Sequence, residues 1–321
     1  MAELAAVPQL TPPPERLVVA CPAKVNLHLE VLGRRRDGYH ELRTLFAAVG
    51  VWDSLIIEPA QGDVTLEVRP PGSAPAGEEN LVMRAVRQLQ QRRGVDPASA
   101  VGARLTLHKR IPVAGGLGGG SSDAAGALVG LNRLWGGGVT REELLEMAAA
   151  LGADVPFFLV GGVAWGTGRG DQLLPLPDLP PWWVVLLPAQ VPVSTSQVYA
   201  WLQAPPLAHV PPSPVYDWIR QGGELPFDAC RNDLEPVVME QFPDIKERLE
   251  TLAAQQPRLA QVSGSGGTVF ALFDSEEEAR RCADRLAPAG ALAAPILTRE
   301  ASLLHPSVEE ESWRSPMFES P

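Results

Sequence analysis

Cysteine is scarce in this 321-residue chain: Cys21, Cys230 and Cys282 are the only three. None falls in a CxxC pair, and none clusters with histidine at a zinc-binding spacing. A disulfide scaffold and a zinc site are therefore excluded, and an odd, sparse set of thiols points to a cytoplasmic setting. Long apolar runs are missing too. The strongest, Trp182 to Leu187, is far short of the roughly 20 residues that cross a bilayer. The opening MAELAAVPQL has neither the basic start nor the apolar stretch of a secretory leader. Positive charge is in deficit, with 27 Lys and Arg against 38 Asp and Glu and a net charge of −11. Such a surface repels polyanions, which excludes nucleic acid as a partner. The same field opposes ATP, so a bound triphosphate would need local backbone N–H groups, a lysine and a metal ion. No internal repeat is present. The expectation is a soluble, cytoplasmic protein with no membrane partner.

What is there suits a folded enzyme. At 45% hydrophobic residues the chain can bury a sizeable core, and its length suits one large or two modest domains. Alternating β-branched residues over 16–32 predict strands, and Asp37-Gly38 in RRRDGY predicts a turn. Further strands are expected near 42–49, 54–58, 64–68 and 104–108. Glu79 to Gln91 has helical periodicity, as does 121–134. Thr140 with Glu143 forms a capping-box signature for a helix ending near Leu151, with Gly152 as its cap. A proline-rich connector, LPLPDLPP, then marks a domain boundary near Pro175. Beyond it, strands are expected at 182–187 and on either side of a glycine turn in 261–274, with helices at 195–202, 233–241, 243–255 and from Ser275. The expected division is 16–175 and 176–300, with 1–15 and 301–321 as flexible tails.

The strongest local signal is PVAGGLGGGSSDAAG, residues 112–126. Five of the seven residues from Gly115 to Ser121 are glycine. A run so expensive to order makes sense where the backbone must approach something bulky and anionic. It sits between a strand and a helix, so free N–H groups and the positive helix end face the loop. Ser121 and Ser122 can add hydroxyl ligands. No Gly-Lys-Ser/Thr closes the loop, so it is not a Walker A motif. A dinucleotide fingerprint is disfavoured because the loop lies a hundred residues in, without a βαβ setting. The competing reading is a flexible or crowded turn.

Three further segments are unusual. PAKVN places Lys24 and Asn26 on one side of a strand, which alone suggests an edge strand. GADVPFF places Asp154 after a helix end, which alone suggests a turn aspartate. VSGSGGTVFALF carries Gly264, Gly266 and Gly267, which alone suggests a tight hairpin. Together and in this order, the four segments resemble the GHMP kinase superfamily, which includes galactokinase, homoserine kinase and mevalonate kinase. PAKVNLHLEVLGRRRDGYHELRTLF, residues 22–46, is most similar to the branch that phosphorylates a cytidine diphosphate derivative of methylerythritol. The resemblance runs from about Arg16 to Leu297, with Ala114 a small departure where relatives carry glycine.

The resemblance implies an α+β fold of two domains. A larger N-terminal α/β domain would bind ATP, a smaller C-terminal α/β domain would face it, and the active site would lie in the cleft between them. It implies a transferase that uses ATP and Mg²⁺ to phosphorylate the 2-hydroxyl of its small-molecule substrate, in the non-mevalonate route to isoprenoid precursors. Asp154 would be the base and Lys24 would orient it and offset γ-phosphoryl charge. Pro112, Val113, Ala114, Gly115, Gly116, Leu117, Gly118, Gly119, Gly120, Ser121 and Ser122 would wrap the phosphates, with Asn80 and Lys109 near the adenine. Tyr39 and Tyr199 would stack on cytosine, His40 would bond its edge, and Asn26 would hold the erythritol end. Gly264, Gly266 and Gly267 would let the second domain's backbone approach the substrate diphosphate. No metal ligand and no oligomeric state is assigned. The alternatives are another kinase of the superfamily, acting on homoserine, mevalonate or a sugar, or a catalytically silent nucleotide-binding member; DGYHEL argues against the first, and Lys24 and Asp154 against the second. His28, His108, His209 and His305 receive no role, and Trp182 and Trp183 are read as core.

Overall fold

The computed structural model describes residues 16–93, 101–189, 191–207 and 210–307. The first sheet is built from six strands, β1 (Leu17–Arg34), β2 (His40–Gln61), β3 (Thr65–Arg69), β4 (Val101–His108), β5 (Val163–Gly168) and β6 (Gln172–Leu176). Their spatial order is β3-β4-β2-β5-β6, with β1 on β2; only β3 and β4 run parallel. Four helices cover one face: α1 (Leu81–Arg92), α2 (Gly119–Leu134), α3 (Arg141–Leu151) and α4 (Val155–Val160). The second sheet has the order β10-β7-β9-β8 and is antiparallel throughout. Its strands are β7 (Trp183–Pro188), β8 (Leu259–Val262), β9 (Thr268–Phe273) and β10 (Leu292–Pro295). Around it lie α5 (Thr195–Leu202), α6 (Pro214–Gln221), α7 (Glu235–Gln241), α8 (Pro243–Ala253) and α9 (Glu276–Leu286), and α10 (Arg299–Ser302), the last described helix, returns to the first sheet.

Alternation along the strands makes four layers. Leu17, Val19 and Cys21 on β1 join Leu128 and Leu131 of α2 in one apolar cluster. Ala23, Val25 and Leu27 face the other way, onto Val184 and Leu186 of β7 and Phe270 and Leu272 of β9. The far side of the second sheet, with Val185, Val269 and Ala271, packs on Ile245, Leu252 and Cys282 of α8 and α9. The two sheets are thus sandwiched between two helical layers, each face buried by its period-two residues.

The parity change within β1 has a cause. Its register against β2 shifts between Pro22 and Ala23. A bulge of this kind re-aims the following side chains. Odd residues up to Cys21 face the helices; beyond the bulge, as far as the next register shift after Asn26, even residues do. Lys24 and Asn26 therefore point at the helical side, opposite Ala48 and Phe46 of β2, rather than into the apolar layer between the sheets.

Several expectations are corrected. The strands expected at 42–49 and 54–58 are one continuous β2, because β1, β4 and β5 all pair along it and carry it through Gly50 and Asp53. The apolar run after Asp154, given no secondary structure from sequence, is a helix, α4, with Pro156 in its first turn. Residues 301–307, expected to open a flexible tail, are docked. Val18 and Ser307 exchange two backbone hydrogen bonds of 3.0 Å, and Ser302 and Leu304 are buried. The charges of 301–321, and Pro316 and Pro321, all lie beyond Ser307 and mask the apolar pair Leu303 and Leu304 at its start. The expected tails 1–15 and 308–321, and His209, lie outside the described residues.

Candidate active site

A cavity of about 1020 Å³ opens between the two sheets' domains. Its floor is β1 and β2, one wall is the glycine loop, and the opposite walls are α5 and the turn between β8 and β9. Ligand sites commonly occupy such junctions.

Lys24 stands at its centre. The ammonium donates to Asn26 Oδ1 at 2.7 Å and lies 3.4 Å from Asp154 Oδ2. Asn26 Nδ2 donates in turn to Thr44 Oγ1 at 2.7 Å, and Thr44 Oγ1 to the His28 carbonyl at 2.9 Å. Each link is fixed by the next, so the ammonium is held in place before any ligand arrives. Lys24 is buried, whereas the Asp154 side chain is 36% exposed and open to the cavity. Asp154 is the N-cap residue of α4, but its carboxylate makes no capping bond. It is left free to face Lys24 and whatever hydroxyl comes between them.

The glycine loop packs down on this lysine. Gly118 is left-handed, at φ +73°, and a Cβ there would meet Phe158 Cζ at 2.8 Å and Lys24 Cγ at 3.0 Å. Glycine is thus required by both backbone conformation and space. Gly118 is also the N-cap of α2, with no side-chain bond to satisfy the first N–H groups. The positive end of a sixteen-residue helix accordingly opens into the cavity, an arrangement suited to phosphate. Within α2, Gly126 and Gly130 let the helix sit directly on β1 and β2, since a Cβ would meet Cys21 Sγ at 2.6 Å or Ile57 Cδ1 at 2.3 Å.

Beneath the loop lies an ion triad. The Lys109 ammonium binds Asp123 Oδ2 at 2.6 Å and also the carboxylate of Asp53. Asp53 Oδ1 additionally accepts from the Ile111 N–H at 2.9 Å. All three side chains are buried. Burial pushes Asp123 up to about 8; Lys109 opposes this and Asp53 adds to it. Lys109 itself is raised: burial acts against its charge, but the two carboxylates outweigh burial.

At the far end, the His40 and Tyr199 rings stack with centroids 4.8 Å apart. Burial, then the nearby Arg34 charge, holds the His40 imidazole below its ordinary pKa. Burial likewise raises the Tyr199 phenol, with Asp154 adding to it.

Similarity to known proteins coincides with this geometry. Residues 80–162 match the model of the GHMP kinases N terminal domain, and residues 219–291 that of the GHMP kinases C terminal. A 4-diphosphocytidyl-2-C-methyl-D-erythritol kinase from Symbiobacterium thermophilum is 40% identical over 281 residues, covering 84% of this chain and 95% of its own. The chain belongs to this family of GHMP kinases. A crystal structure of 4-(cytidine 5'-diphospho)-2C-methyl-D-erythritol kinase superposes with a TM-score of 0.71 at 38% identity, covering 87% of this chain and 98% of that one. A homoserine kinase structure from Cytophaga hutchinsonii, at 19% identity and a TM-score of 0.68, shares the fold, over 91% and 97% of the two chains. The family makes the protein an ATP-dependent small-molecule kinase of the two-domain α+β GHMP fold.

Within this kinase fold, Lys24, Asn26, Tyr39, His40, Asp154, Tyr199, Gly264 and the loop from Pro112 through Ser121 all border the one cavity. Three expected residues do not line it, and two that do, Asn80 and Lys109, have their polar groups engaged by neighbours. Ser122 is fully buried, one step round α2 from Ser121, and does not line the cavity. Gly266 and Gly267 do not line it either: Gly266 faces Val238, and Gly267 abuts the Ala114 carbonyl, where a Cβ would lie 2.2 Å away. Asn80 borders the cavity but its amide is used in capping α1, accepting from Val82 N at 2.9 Å and donating to the Pro75 carbonyl at 2.6 Å. Lys109 is engaged by its two carboxylates. Tyr39 is 56% exposed, with the Arg169 guanidinium 5.0 Å from its ring, while Tyr199 pairs with His40. Sequence reading missed Arg169, Thr44 and Asp123. Asp123 stood inside the quoted PVAGGLGGGSSDAAG segment, and a carboxylate directly before two helix-forming alanines was the available signal.

Proposed function

We propose that this kinase transfers the γ-phosphoryl group of ATP to the 2-hydroxyl of 4-diphosphocytidyl-2-C-methyl-D-erythritol, with Asp154 accepting the hydroxyl proton. The reading rests on one arrangement: Lys24, tied to Asn26, faces an open Asp154 at 3.4 Å beside the free N-terminus of α2. Phosphoryl transfer asks the protein mainly for positioning and charge stabilisation. The α2 end and the loop N–H groups take the phosphates, Lys24 sits where charge accumulates, and Asp154 is within reach of an acceptor hydroxyl. General base assistance of this kind contributes about 10²–10⁴-fold. The His40–Tyr199 pair supports a planar, hydrogen-bonding base at the far end of the cavity. His40, held neutral, can offer one donor and one acceptor nitrogen to a cytosine edge.

No group of three or more His, Cys, Asp or Glu suited to a metal occurs among the described residues. Mg²⁺ is commonly held by one or two carboxylates together with substrate phosphates, and the cavity lining offers the part-exposed, uncapped Asp154 carboxylate and the Ser121 hydroxyl. Asp154 and Ser121 are the protein oxygens that would share it, and it would neutralise phosphate charge.

The same reading divides the chain near Pro175 and places the protein in the cytoplasm. The three cysteines are free and buried, and no described helix is long and apolar enough to cross a membrane. The test is ADP release with Mg-ATP and a panel of acceptors: the cytidylated methylerythritol, homoserine, mevalonate and galactose. Turnover of the first alone is expected. Turnover of another acceptor would overturn the substrate assignment while leaving the kinase chemistry intact.

A further inference from the structure

The turn between β8 and β9 closes the reaction slot opposite Lys24. Gly264 is left-handed, at φ +55°, and a Cβ there would lie 3.2 Å from Asn26 Oδ1 and 3.4 Å from Lys24 Nζ. The same turn braces the phosphate loop, with Ser263 Oγ donating to the Gly116 carbonyl at 3.1 Å. Two glycines in succession, Gly266 and Gly267, follow it, both at positive φ. Such a turn needs an outside restraint to keep its carbonyls where they are.

That restraint is Asn232. Its amide donates both hydrogens into the turn, to the Val262 carbonyl at 2.8 Å and the Gly264 carbonyl at 2.7 Å. Its Oδ1 accepts from the Leu234 N–H at 3.0 Å. The residue is 4% exposed. Asn232 is itself anchored to β1, the strand that carries Lys24 and Asn26. Leu29 N donates to the Arg231 carbonyl at 2.7 Å, Asp233 N donates to the Leu29 carbonyl at 2.9 Å, and Val31 N donates to Asp233 Oδ2 at 2.8 Å. A chain of bonds thus runs from β1 through residues 231–233 to the buried Asn232, then to the turn, and from the turn to the phosphate loop.

We infer that Asn232 is a positioning residue for phosphoryl transfer, setting the separation between Lys24 with Asn26 on one side and the Gly264 turn with the phosphate loop on the other. It touches neither substrate nor reacting atoms; it acts through Gly264. The inference rests on the kinase reading above but not on the identity of the acceptor. Two features distinguish the role from simple stabilisation. The bonds go to a turn that borders the catalytic lysine, and an amide is the only uncharged side-chain group that supplies two donors and an acceptor from one planar end.

The experiment uses the full chain and whichever acceptor the wild type turns over, so that wild-type turnover reports on the proposed function and the ratios report on Asn232. Asn232→Asp keeps the shape but turns a carboxylate oxygen towards two carbonyl oxygens; Asn232→Ala removes the bonds. Either, whichever folds, is expected to lower kcat by about 10²-fold, as misplacement of a reacting group by about 1 Å does, with KM for ATP changed by less than about threefold. Asn132→Ala serves as the stability control, since the Asn132 amide also bonds loop backbone, at Val139, away from the cavity. Asn232→Ala combined with Gly264→Ala should lose far less than the product of the two separate losses, because both act on one turn. An unchanged kcat, a loss equal to that of Asn132→Ala at matched stability, or fully multiplicative losses in the double variant would each overturn the inference.

Discussion

Gly116 lies so close to Ser263 that a Cβ on it would fall 2.0 Å from the Ser263 carbonyl oxygen and 2.8 Å from that of Gly266. The phosphate loop of the first domain and the glycine turn of the second are therefore in backbone contact, each glycine-rich because the other is there. Gly116 is also left-handed, at φ +74°. Gly116→Ala combines a strained backbone, worth about 1–3 kcal/mol, with a backbone clash that no rotamer relieves. The expected outcome is a lowered melting temperature and a KM for ATP raised at least tenfold, checked by thermal denaturation and steady-state kinetics. A variant with wild-type stability and ATP kinetics would remove the functional meaning of this contact.

Asp154→Asn separates chemistry from folding. The carboxylate is part-exposed, makes no capping bond and has Lys24 as its ion-pair partner at 3.4 Å. Stability should change by less than about 1 kcal/mol, while kcat falls by about 10²–10⁴-fold with little change in KM for ATP. Lys24→Met should also abolish turnover, but with a stability change of its own, because it leaves Asn26 Oδ1 without its buried donor. Comparable kcat in Asp154→Asn and wild type would dismiss Asp154 as the base.

How far the site could be read from sequence follows from where its signals lie. Lys24 and Asn26 were legible as a pair because period-two alternation puts them on one side of a strand. What they face was not, because the bulge at Pro22/Ala23 decides it and a bulge has no marker in the residues themselves. The glycine loop was legible for what it lacks, a side chain at each close approach. Ser122 and Lys109 were placed with the phosphates and the adenine by motif, whereas burial draws Ser122 into the core and two acids take Lys109. Long-range partners of this kind, such as Asp53 and Lys109 56 residues apart, leave no local pattern. The same is true of Ser307, which reaches back to Val18.

The far end of the cavity makes a pH prediction. Burial and Arg34 depress the His40 pKa below the ordinary imidazole value, so the ring is neutral throughout the neutral and alkaline range. KM for the cytidylated substrate should be flat there and rise only as pH falls below about 6.5, when His40 gains a proton and loses its acceptor nitrogen. Tyr199→Phe should leave that KM nearly unchanged, and Tyr199→Ala should raise it by roughly tenfold or more, since stacking on one aromatic ring is worth about 1–3 kcal/mol. Equal effects of the two Tyr199 variants would point to the hydroxyl instead of the ring.

Ala114 occupies a left-handed conformation, at φ +56°, in the phosphate loop. A non-glycine residue there carries about 1–2 kcal/mol of steric cost, partly offset because alanine has less freedom to lose on folding than glycine. Ala114→Gly is expected to be neutral or to stabilise by up to about 1 kcal/mol, without loss of turnover. Differential scanning calorimetry and the ADP-release assay read the two effects separately, and a destabilised variant would show that the methyl group packs usefully against the loop.

The buried triad supplies the last prediction. With Asp123 raised from 3.8 to about 8, the folded protein holds a proton between about pH 4 and 8 that the unfolded chain releases. Its contribution to stability is therefore complete below about pH 4 and is lost progressively as pH rises through about 8. Lys109 bridges the Asp123 and Asp53 carboxylates, so the proton on Asp123 limits the negative charge beneath the phosphate loop. Asp123→Asn keeps an acceptor for Lys109 and removes the titration. Its melting temperature should fall less than that of wild type between pH 5 and pH 8.5, and its KM for ATP should lose the rise expected of wild type once an extra negative charge appears under the loop. Parallel melting curves across that range would mean that Asp123 is ionised in the folded protein, with Lys109 balancing both carboxylates.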